Sequence, residues 1–175
     1  MSFYLRVIKL PRWSNEPQEL AWLKQGEIPS DPLADLNTSK NSLSLYYVED
    51  ESNHFILKHI AAALAATRDS FDKLDFQLID AQTLARLELP LYQTLGDTPD
   101  QHVNSLHYDL RELSAQKLLK LAEEMLPQSA RRDRISEREI QALIQAQVES
   151  GRIDIEHKSV KPKMKKSLEH FIPRK

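Results

Sequence analysis

The chain contains no cysteine and only three glycines in 175 residues. The first absence excludes disulfides, thiolate metal sites and cysteine nucleophiles. The second leaves no glycine-rich loop to cradle a phosphate, because Gly26, Gly96 and Gly151 stand far apart. No serine sits in the setting of a nucleophile elbow, so catalysis is the least supported function class. No apolar run approaches the roughly 18 residues that span a membrane, and the opening MSFYLRVIKLPRW lacks the apolar core and cleavage site of a secretory signal. A cytoplasmic protein that does not enter a membrane is the expectation. Aromatic residues make up 7% of the chain. Tyr46, Tyr47, Tyr92 and Tyr108 lie in no basic, aromatic-interleaved motif, which assigns them to a core or sheet edge before base stacking.

What the chain does contain is a strand-helix-strand pattern between Leu43 and Asp80. Leu43, Leu45 and Tyr47 alternate with Ser44 and Tyr46, and Leu74, Phe76 and Leu78 alternate with Asp75 and Gln77, the period of half-buried strands. Between them Ile56, Ile60, Ala63, Leu64 and Thr67 recur at helical spacing, and five alanines let that helix lie close to its cover. Phe3 to Leu10 predicts a further strand, stopped by Pro11. Glu16 to Lys24 predicts a short helix ended by Gly26, with Trp22 in the core, and 27–42 reads as a loop.

Beyond Asp80 the signals are helical. Asp80 caps a helix running to Glu88, and Thr98-Pro99-Asp100-Gln101 predicts a helix start with Thr98 as the cap. Ser114 precedes a helix whose Leu118, Leu121, Ala122 and Met125 share a face. QSARRDR reads as a charged connector, about ten residues with its flanks, too long for a helix-turn-helix. Ser136 and Glu139 then form a capping box before Ile140, Leu143, Ile144 and Val148, with Gly151 as the closing cap and IDI as a short strand. The expected fold is α+β, with α/β as the alternative, and a small mixed sheet is built around the β-α-β unit 43–80. A single domain is expected over residues 1–156, its first half (1–90) holding the sheet and its second half (91–156) mainly helical. A loosely held basic tail over 157–175 completes the chain.

Charge is unevenly spread. From Arg152 onward there are eight basic and three acidic residues, a net +5, while the other 16 basic and 23 acidic residues leave −7. That asymmetry favours contact between tail and body or a partner for the tail. The leading expectation is a non-catalytic interaction or accessory subunit, bound to a protein partner or to further copies of itself. Lys158, Lys161, Lys163, Lys165, Lys166 and Phe171, with Arg131, Arg132 and Arg134, are the expected contacts. The alternative is a nucleic-acid-associated protein using the same cations on phosphates. The lowest is a metal-dependent enzyme holding Mg²⁺ between Asp50 and Asp80 at the strand ends, although helix capping explains carboxylates there more simply, and no cofactor is expected. His102 and His107, with Asp97, Asp100 and Asp109 nearby, carry the residue types of a metal or acid–base site, but like His54 and His59 the pair is five residues apart, the wrong step for a helical zinc pair.

Overall fold

Alternating apolar residues build six strands in the computed structural model, which describes residues 2–13, 21, 23–24 and 27–171. They are β1 (Phe3–Ile8), β2 (Leu43–Val48), β3 (Leu74–Asp80), β4 (Leu91–Gln93), β5 (His107–Leu110) and β6 (Arg132–Ile135). Their order is β4-β5-β2-β1-β3-β6, and every neighbouring pair is antiparallel. The fold is α+β. The sheet is antiparallel throughout instead of mixed, and three of its strands come from the second half of the chain. The helix expected over 16–24, with Trp22, falls mainly outside the described residues.

The β-α-β unit is present but split. The strands β2 and β3 run the same way, with β1 inserted between them: Phe3 pairs with Val48 on one side and Asp80 on the other. Helix α1 (His54–Ala65) makes the connection, and Ala61, Ala62, Ala63 and Ala65 are fully buried. A helix buried on so many sides needs small residues, because the sheet covers one side and α5 (Glu137–Glu149) packs on another. Ile140, Ile144 and Val148 of α5 share one apolar cluster with Leu5, Phe76 and Leu78 of the sheet. The opposite sheet face holds a second cluster, formed by Tyr4, Leu45 and Ile79 with Trp13, Leu36 and Leu84. Leu121, Ala122 and Met125 of α4 (Ala115–Met125) complete it.

Several local signals behave as the residues dictate. Ser136 and Glu139 form the reciprocal capping box, Ser114 accepts from the Lys117 N–H, and Gly151 takes φ +73° after α5. Asp80 caps α2 (Ala81–Arg86) by accepting from the Thr83 N–H. Other signals are overruled. The cap of α3 (Gln101–Ser105) is Asp100, which accepts from the His102 and Val103 N–H groups. Thr98 instead donates its N–H and its hydroxyl to Asn104 Oδ1. The IDI segment is no strand, since the Ile153 N–H donates to Gln147 O and the Asp154 N–H to Pro99 O.

The largest departure is the basic tail. Pro162 opens a helix, α6 (Pro162–Leu168), whose Met164 and Leu168 lie four residues apart and are completely buried. Val160 and Ile153 are buried beside them, and Phe171 meets Phe71 at a ring separation of 6.4 Å. At about 1.5–3 kcal/mol per fully buried apolar side chain, this segment belongs to the core. Among the described residues no helix is long and apolar enough to cross a membrane.

Candidate functional site

At the end of the sheet where β1 finishes and β3 begins, two carboxylates organise the backbone. Asp35 stands in a 3-10 helix (Asp31–Leu36) and is buried. It accepts from the Lys9 N–H at 2.7 Å, from Trp13 Nε1 at 2.8 Å and from the Arg12 guanidinium at 2.6 Å. Its backbone carbonyl accepts from Arg6 Nε at 3.1 Å and from another guanidinium nitrogen of Arg6 at 2.6 Å. Burial pulls the Arg6 pKa down to about 10, against the opposing pull of Asp35. Asp75 holds the other side, accepting from the Leu10 N–H at 3.0 Å and from Arg134 through two bonds of 2.6 and 3.0 Å. Burial alone would raise the Asp75 pKa, but these donors together outweigh it and the carboxyl lies below its ordinary range.

Around these anchors lies an open groove of about 1360 Å³, walled by the β1 end, the 3-10 helix, the α1–β3 loop and the start of α5. Its lining includes seven cations and five carboxylates. Arg6, Arg12 and Arg134 are fixed by the bonds above, and Arg68 donates to Lys73 O. Lys161, from the segment before α6, reaches Asp69 at 3.1 Å. The exposed ammonium groups of Lys9 and Lys73 make no ion pair among the described residues. The groove therefore presents charges of both signs, most of them tied down by internal bonds, and two cations without an ion pair among the described residues.

The structure distributes the residues expected to bind a partner very unevenly. Arg134 and Lys161 line the groove. Arg131 turns inward, donating to Asp80 at 2.6 Å and Gln128 at 2.9 Å with its guanidinium 5.2 Å above the Phe3 ring. Arg132 donates to the carbonyls of Trp13, Met125 and Leu126 and to Gln77 Oε1, so it ties α4 to the sheet. Of the lysines, Lys158 pairs with Asp97 at 3.2 Å and Lys165 with Glu156 inside its own segment. Lys163 and Lys166 are exposed on α6, with no ion pair among the described residues. The cations read from sequence thus do not converge on one phosphate track.

The carboxylates Asp50 and Asp80 fare similarly. With β1 between their strands, the two strand ends are second neighbours, about 10 Å apart in backbone from strand spacing alone. Both Asp80 oxygens are engaged, by Thr83 and Arg131, and Asp50 accepts from the Ser52 N–H. Asn53, not Asp50 or Ser52, caps α1. Among the described residues no three histidine or carboxylate side chains converge as metal ligands.

Of the histidine candidate, His107 and Asp109 do come together, in a polar network where β2, β4 and β5 meet, and the sequence gives no sign of its other members, Thr94 and Ser44. Thr94 Oγ1 lies 2.8 Å from His107 Nδ1 and 3.1 Å from Asp109 Oδ2, and Ser44 donates to Asp109 Oδ1 at 3.2 Å. Thr94 has one hydroxyl hydrogen and two acceptors within reach, so it serves Asp109 when His107 Nδ1 carries the ring proton and can serve His107 when Nε2 does. The network locks three strands together. The pair Asp35 and Asp75 was missed as well, though Asp31-Pro32 with Leu33 and Leu36 three residues apart carries a helical-turn signal within the supposed loop.

No known protein family matches the chain, and neither a curated protein nor a solved structure is similar to it.

Proposed function

We propose that the protein is a non-catalytic interaction subunit whose working surface is the groove between Asp35 and Asp75, and that it holds an extended segment of a protein partner there. The observation that carries this reading is the groove itself. Small-molecule sites are usually about 300–1,000 Å³ with only a few polar groups, whereas this one is larger, open and lined by both signs of charge. A polypeptide with mixed charge complements such a lining. A polyphosphate chain fits less well, because the exposed carboxylates of Asp72 and Glu137 would face it while Arg12, Arg134 and Lys161 are already paired with Asp35, Asp75 and Asp69. The nucleic-acid alternative is weakened further by the inward engagement of Arg131 and Arg132.

The test is a double charge reversal, Lys9→Glu with Lys73→Glu, at exposed positions whose side chains support no internal bond. Full-length parent and variant are used as bait under matched conditions, and bound protein and nucleic acid are both identified. The reading expects a defined protein with the parent, reduced at least about tenfold with the variant, the equivalent of roughly 1.4 kcal/mol. Nucleic acid held by the parent and stripped between about 50 and 200 mM salt would overturn it.

A further inference from the structure

The two edges of the sheet differ in how they are protected. Strand β6 carries Arg132, Asp133 and Arg134, and the Arg134 N–H is already taken by the Asp133 carboxylate at 2.7 Å. Charge and a self-satisfied amide blunt an edge against pairing with another chain. At the opposite edge, Leu89 to Gly96 has no formal charge. Two of the four large exposed apolar side chains among the described residues stand there: Tyr92 is 44% exposed and Leu95 84%.

The register shows which backbone groups this edge leaves unused. Thr94 donates its N–H to His107 O, and Arg111 donates its N–H to Pro90 O. With Tyr92 opposite Asp109, residues 90, 92 and 94 bond inward to β5. Alternation therefore turns the N–H and C=O groups of Leu91, Gln93 and Leu95 outward. A row of unpaired groups on an uncharged, partly apolar strand is a template for one more strand.

We infer that a second copy of this chain supplies that strand, by antiparallel pairing of β4 with β4. A two-fold axis through the edge makes the pairing antiparallel and isologous. Centred on Gln93, it places Gln93 opposite Gln93 of the second copy and Leu91 opposite Leu95. All three outward residues then bond to outward residues, and no like charges face each other, since the strand has none. The six-stranded sheet continues across the axis into a twelve-stranded one. Both grooves remain free, because the lining strands β1, β3 and β6 lie at the other end of the strand order.

The test combines sedimentation over a concentration series with amide hydrogen exchange on the full chain. Association should rise with concentration, and the Leu91, Gln93 and Leu95 amides should gain at least about tenfold protection in step with it. Leu95→Lys, at a position already exposed, should abolish association and that protection while leaving the unfolding midpoint unchanged. Gln93→Pro, which deletes an outward amide together with the Gln93 Nε2 bond to Ser105 O, should likewise abolish association. A chain that stays monomeric at its solubility limit overturns the proposal. So does a dimer whose three edge amides exchange as fast as in the dilute protein, or one that survives Leu95→Lys.

Discussion

Replacing Arg132 with alanine should cost about 3 kcal/mol of folding stability. The guanidinium donates 3.1 Å to Gln77 Oε1, 2.7 Å to Trp13 O and 2.8 Å to Met125 O, with a further bond to Leu126 O. Met125 and Leu126 are the last residue and cap of α4, where the negative end of the helix dipole favours a cation. The same side chain lies 5.4 Å above the Trp13 ring. Hydrogen bonds to a charged group are worth about 1.5–3 kcal/mol each but do not add when they share one donor. Arg132 is only half-buried, so water can reach some of the abandoned carbonyls, and the lower end of the range for a broken charged network applies. Gln77 still donates to Met125 O at 2.7 Å in the variant, which keeps one tie to α4. In urea, with a slope near 2 kcal/mol per molar, the unfolding midpoint should fall by about 1.5 M. Arg132→Lys should recover some of the loss, since an ammonium keeps the charge but not the planar fork. An Arg132→Ala midpoint within about 0.3 M of the parent, with an unchanged slope, would refute the role given to this residue.

Two further outcomes follow from the tail and from histidine. A chain ending at Gly151 loses buried Ile153, Val160, Met164 and Leu168, at about 1.5–3 kcal/mol each. It should give no cooperative unfolding transition, because that sum matches a typical domain's whole stability of about 5–15 kcal/mol; a sharp transition near the parent's would contradict it. His59 is buried and contacts the Arg152 guanidinium, which can only donate, so the ring must be neutral to accept. Burial first and Arg152 second lower its pKa, although Asp100 opposes them. A histidine depressed in the folded state binds fewer protons than in the unfolded chain, so its contribution is present above the ordinary value near 6.5 and is lost as pH falls through the folded pKa. Melting temperature should therefore drop between about pH 7.5 and 5, and His59→Asn should show a smaller drop. Equal drops in both proteins would rule out His59 as the cause. The residual drop in the variant is expected from His107, which burial depresses in the same direction.

How far sequence carries this chain is clearest in β3. Its apolar positions Leu74, Phe76 and Leu78 are legible from their alternation, and they face α1 and α5 as that pattern implies. Asp75 and Gln77, by the same rule, belong to a solvent face, yet they are 6% and 0% exposed. Their face is covered by α4 and the Leu10–Trp13 turn, and Arg134 and Arg132 from β6 satisfy them there. Binary pattern separates apolar from polar, but it cannot distinguish a polar residue facing water from one facing a partner 55 or 59 positions away. The same blind spot turns RDRI into a connector, since an edge strand guarded by charge has the composition of a loop. In the tail, Met164 and Leu168 are the relevant signal, one helical turn and a bit apart, and five lysines between 158 and 166 obscure it. The groove is legible only as scattered pieces. Arg134 and Lys161 stand out for their charge, but the carboxylates that anchor the groove lie in a supposed loop and on a supposed wet face.

The most direct test of the central claim is site-specific photo-crosslinking in cells that make the full-length chain. One probe replaces Lys73 in the groove, and the other replaces Glu123, an exposed position on α4. The account predicts one discrete protein adduct from position 73, absent from position 123 and lost when Arg68→Glu is added beside it. The same adducts from both positions, or nucleic acid as the only product at 73, would contradict it.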